Sequence, residues 1–226
     1  MEPNPSKQAS REKILDCAEQ LFARRGFAGI GLAEVAETVG LRKSTLFHHF
    51  PSKAAIYAAV VARILRRFEE QLNRELARGG SPGQRLDRWT DSLIDLLARN
   101  PSYPRLLLRS LFEDDELGGD LPEEQEANAI LRRIIAVAAR LLHEGMDAGE
   151  LRRASVPHTL QTLIGATIYH FASGELGDEI IGRPIFSAAE VARRKIEVKA
   201  LTRPGTILAP ATPSPKPLKT TPRRTR

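Results

Sequence analysis

The sequence predicts an all-α protein, a small three-helix unit of helix-turn-helix type followed by a larger helical body, about nine helices in total. Three observations carry that expectation. Apolar residues recur at i, i+3, i+4 and i+7 through most of the chain, the period of a helix face rather than the alternation of a strand. Leu, Ala, Arg and Glu dominate a composition in which aromatics make up only 5%, a helical bias. Glycine and proline collect at a few points, where they punctuate the periodic runs.

The elements follow in order. Residues 1–9 are polar and proline-bearing and read as a flexible arm, either a frayed terminus or a segment whose Lys7, with Arg11 just beyond it, meets phosphates. Ser10 is a cap for a helix to about Arg25, with Ile14, Leu15, Ala18, Leu21 and Phe22 as its buried stripe. Arg24 and Arg25 suit its C-terminal end. Cys17, the only cysteine, has no disulfide partner and reads as a small apolar residue at the core margin. Leu32, Val35, Ala36 and Val39 mark a second helix, ended by Gly40, with Leu41 plugging the angle to the next. The third is RKSTLFHHF, in which Leu46, Phe47 and Phe50 are the apolar positions. Pro51 and Ser52 then punctuate, and a fourth helix runs toward Ala77 on the stripe Ile56, Tyr57, Val60, Val61, Ile64, Leu65, Phe68 and Leu72.

In the body, Gly79 to Gly83 is a loop, and a helix to about Arg99 carries Leu86, Trp89, Leu93, Leu96 and Leu97 inward. Another begins near Pro104, with Leu106, Leu107, Leu108, Leu111 and Phe112. Asp114, Asp115 and Glu116 are consecutive, so they do not aim at one point, and they read as a solvated loop rather than a divalent-metal site. A long helix spans about Pro122 to Asp147. His143 and Glu144 open like a zinc-protease motif, but Asp147 stands where a second His is needed. Helices over about Val156–Ser173 and Ser187–Leu201 close the body, joined by a glycine-containing connection, and are the candidates for a dimer interface. Residues 203–226 are proline-rich, basic and acid-free, which predicts a disordered tail.

Charge is distributed unevenly. The net +6 divides into +2 for residues 1–53, −2 for 54–202 and +6 for 203–226. The body therefore lacks a nucleic-acid signature, and the ends hold the positive charge. Between Thr38 and Lys53 there are Arg42, Lys43 and Lys53 and no acid. A recognition helix needs an apolar underside and a polar outer face. Leu46 and Phe50, four apart, supply the anchor, leaving Arg42, Lys43, Ser44 and His48 outward or near the N-terminal end. Arg and Lys match guanine O6 and N7 in the major groove, and Lys53 at the next helix start suits a phosphate. No enzymatic constellation, phosphate-binding glycine loop or metal set is found, and adjacent His48 and His49 point about 100° apart on a helix. No apolar run approaches the ~20 residues that span a bilayer, and no signal peptide is visible, so a cytoplasmic protein without a cofactor is expected.

The stretches REKILDCAEQLFARRGF, AEVAETVGLRKSTLFHHF and PSKAAIY resemble the DNA-binding domain of TetR-family transcriptional regulators. Gly26, Gly40, Thr45, Leu46, His49, Phe50 and Lys53 carry the resemblance. Three positions depart from it: Gly31 replaces a Ser or Thr cap, Arg42 replaces a Ser at the start of the recognition helix, and Phe47 replaces a Tyr whose hydroxyl typically meets a phosphate. The resemblance implies a domain at residues 10–53 that binds double-stranded operator DNA and a domain at 54–202 for ligand binding and dimerisation. It places Arg42, Lys43, Ser44, Thr45, Phe47, His48, His49 and Lys53 at the DNA. A homodimeric repressor, bound to a palindromic operator and released by a small apolar or amphipathic effector, is the expected function. Trp89, Phe112 and Tyr169 are candidate pocket residues. The alternatives are a DNA-binding regulator controlled by a protein partner and, more remotely, a helical-pocket enzyme or carrier.

Overall fold

A computed structural model describes residues 5–111 and 120–203. Among them are ten helices and no strand: α1 Pro5–Arg25, α2 Leu32–Val39, α3 Lys43–His49, α4 Lys53–Ala77, α5 Pro82–Arg99, α6 Ser102–Ser110, α7 Pro122–Asp147, α8 Val156–Ala172, α9 Glu175–Ile181 and α10 Ala188–Ala200. The expectations placed on Phe112, on the acidic run 114–116, on residues 1–4 and on the tail 204–226 lie outside the described residues.

Three boundaries differ from the sequence reading. Helix α1 starts at Pro5, so residues 5–9 are its first turns rather than an arm, and Ser10 lies inside it. Proline is well suited to a first helical position, where its missing N–H has no intrahelical partner to lose. Helix α6 begins two residues before Pro104, for the same reason. Helix α9 lies within the stretch read as a connection. It is seven residues long, between Gly174 (φ 55°) and Gly182 (φ 73°), and too short for periodicity to reveal it. Asp178 fixes the following turn by accepting from Ile185 N at 2.7 Å. Arg203, assigned to the tail, is ion-paired with Asp87 of α5.

Helix α4 is the spine. Its N-terminal half packs on α1, and its length lies along α7 with α5 beside it, while α6 bridges α1 and α8. One hydrophobic core runs without a break from Ile14 to Val198. It includes Phe22, Phe27 and Tyr57, whose rings meet edge-on at 5.1 and 5.5 Å. No helix among the described residues is long and apolar enough to cross a membrane.

Candidate nucleic-acid interface and apolar cavity

The turn between α2 and α3 is set by Gly40 at φ 72°, a conformation that costs other L-residues about 1–2 kcal/mol. Leu41 N donates to Ala36 O at 2.8 Å and Gly40 N to Glu37 O at 3.0 Å, closing α2. The chain then extends through Arg42 (ψ 145°) and enters α3 with no side-chain cap. On the far side, Ser52 Oγ accepts from Ala55 N at 3.1 Å and starts α4.

The side chains of α3 divide sharply. Leu46 and Phe50 are fully buried and hold the helix down. Arg42, Lys43, Ser44, Phe47 and His48 are exposed, and Thr45 and His49 are half-buried. Neither Arg42 nor Lys43 has an ion-pair partner among the described residues. Arg25, by contrast, is committed to Glu34 at 2.5 Å. Phe47, the apolar position outside the Leu46–Phe50 anchor, is 43% exposed, with the Lys43 ammonium 5.8 Å above its ring. Leu46 and Phe50 lie one turn apart on one side of the helix, and Phe47 is rotated about 100° away from Leu46.

Lys53 is half-buried. Its Nζ donates to Phe27 O at 2.9 Å and stands 4.0 Å over the Phe27 ring. It therefore clips α4 to the turn after α1, and only its remaining N–H groups are left for a phosphate. Arg11 is a further cation here that spacing did not assign to α3: its guanidinium lies 4.8 Å over the Phe50 ring, against the end of α3. Nothing in the local pattern signals a contact across thirty-nine positions of chain.

The body encloses a cavity of about 590 Å³ walled by α4, α5, α6, α7 and α8, with Val61, Trp89, Leu107, Ile134 and Leu163 among its lining residues. Trp89 thus lies where expected. Tyr169 does not line it: the side chain is 51% exposed on the opposite side of α8, because Leu163, Thr167 and Ile168 occupy the inward positions. The outer surfaces of α8, α9 and α10 expose large apolar residues, Tyr169, Leu176, Ile180 and Ile196.

Between α8 and α10, His170 is buried, packed edge-on to Phe171 at 4.8 Å. Burial, then the neighbouring Arg194 charge, push its pKa down to about 4, against a smaller opposing influence of Glu190. It is folded as the neutral imidazole, while the unfolded chain takes up the proton near pH 6.5. Stability from this group is complete above that pH and falls as pH drops from 6.5 toward 4, by about 2–3 kcal/mol. His170→Leu is expected to flatten the dependence of the urea midpoint on pH across that window. An unchanged slope would place the titration elsewhere.

A short helix bared on one side and set by a glycine turn makes a helix-turn-helix unit, coupled by a long helix to a cavity-bearing body. Residues 14–60 match the family described as bacterial regulatory proteins, tetR family. The chain is similar to the HTH-type transcriptional repressor KstR of Mycolicibacterium smegmatis, 26% identical over 117 residues, which are 51% of this chain and 57% of the repressor. The match thus spans less than two thirds of that relative. In fold it is similar to AibR, solved with isovaleryl coenzyme A and operator DNA (TM-score 0.69, 18% identity, 86% of this chain and 98% of that one). The fatty acid degradation regulator FadR from Bacillus halodurans is comparable (TM-score 0.69, 15% identity, 88% and 97%).

Proposed function

We propose that the protein is a homodimeric transcriptional repressor whose residues 10–53 bind a palindromic operator and whose residues 54–202 bind a small effector and dimerise. The observation that carries this reading is the pair Arg42 and Lys43, exposed and without ion-pair partners among the described residues on a helix anchored by Leu46 and Phe50. In this reading Arg42, Lys43, Ser44, Phe47 and His48 face the major groove, and Thr45, His49 and Lys53 meet phosphates. The apolar outer surfaces of α8 to α10 join two copies, as a two-fold partner would bury them. Two recognition helices then lie roughly 34–36 Å apart, or a stretched version of it.

The cavity favours a small effector over control by a protein partner, since the latter needs no such space. Relatives named as transcriptional repressors support regulation over catalysis. The cell interior is the setting this role requires. Selection of bound sequences from random duplex DNA tests the reading. An enriched inverted repeat is expected, and retention of no sequence at low ionic strength would end it.

A further inference from the structure

We infer that the effector is an uncharged apolar molecule, such as a long-chain alcohol, rather than a carboxylate. The inference rests on the cavity being the effector site. Among the described residues its wall contains no Lys, Arg or His, and Glu124 is the only ionisable group. Glu124 is 7% exposed, and its Oε2 accepts from Leu121 N at 3.3 Å at the start of α7. That carboxyl group is already engaged in capping the start of α7 and offers a ligand carboxylate no donor to pair with.

The neutral polar groups point the same way. Ser110 Oγ already donates to Leu107 O at 2.9 Å, and Thr167 Oγ1 to Leu163 O at 2.7 Å. Each hydroxyl is left with accepting capacity only. Ser110 and Thr167 can thus accept from a ligand O–H, and the buried Trp89 Nε1–H, which has no acceptor among the described residues, can donate to a neutral ligand oxygen, but no group on the described wall supplies the positive charge that a desolvated carboxylate needs.

Trp89 lines the cavity and is the only tryptophan, so its emission reports occupancy without reference to DNA. The experiment titrates the full-length protein at pH 8 with 1-dodecanol and with dodecanoate, following Trp89 emission and, separately, release of a selected operator. The alcohol is expected to bind at least tenfold more tightly than the carboxylate and to release the operator. Glu124→Gln, checked for folding by circular dichroism, is expected to narrow the ratio by improving dodecanoate. Equal or tighter binding of dodecanoate, with operator release, would overturn the inference while leaving the effector reading intact. Trp89 emission indifferent to both compounds would overturn the effector reading and this inference with it.

Discussion

Arg63→Ala is expected to lower the unfolding free energy by about 3–5 kcal/mol, the range for breaking a buried ion pair from one side. Arg63 projects from α4 with its side chain 7% exposed and meets Glu12 at 3.3 Å, Asp16 at 2.7 Å and Glu19 at 2.8 Å. Asp16 is 70% exposed, so its share is screened and small. Glu19 is 9% exposed, and its other oxygen accepts from Ser102 Oγ at 2.7 Å. Truncating Arg63 leaves that carboxylate buried with a single neutral donor. Urea denaturation measures the loss, and Asp16→Asn serves as the comparison, with an expected change under about 1 kcal/mol. Equal effects of the two substitutions would show that the buried Glu19 contact contributes nothing beyond a surface pair.

The second large effect falls on DNA. Arg42→Ala and Lys43→Ala are each expected to weaken operator binding by about 1–3 kcal/mol, roughly ten- to a hundredfold, if they read base edges. Both side chains are exposed, so neither change should move the unfolding midpoint, and fluorescence anisotropy on the selected operator isolates the loss. Leu46→Ala is the contrasting case. Its side chain is fully buried, and about 2–5 kcal/mol of folding stability goes with it. Wild-type affinity in both cation variants would remove Arg42 and Lys43 from the reading surface.

The helical class and most boundaries were legible because long amphipathic runs repeat their signal many times. Helix α7 spans Pro122–Asp147, as its apolar spacing and flanking residues predict. The misses have different causes, and for one of them it is shortness. Helix α9, with seven residues between glycines, offers less than two full turns of periodicity. At α3 the four-residue spacing of Leu46 and Phe50 named the anchor from sequence, and both side chains are fully buried. At the site, composition and position pointed to Arg42 and Lys43. They were silent on Lys53 being clipped to Phe27 O and on Arg11 stacking over Phe50. Tyr169 failed as a cavity residue because an aromatic on an apolar helix carries no label for inside or outside.

Helix α6 has nine residues, a strut of about 13 Å. At one end Ser102 grips Glu19 at 2.7 Å, and at the other Leu107 and Ser110 touch the cavity. A hydrogen bond of that length is gone once its atoms part by another ångström. A shift of α6 away from α1 by so little therefore breaks this contact between the two helices.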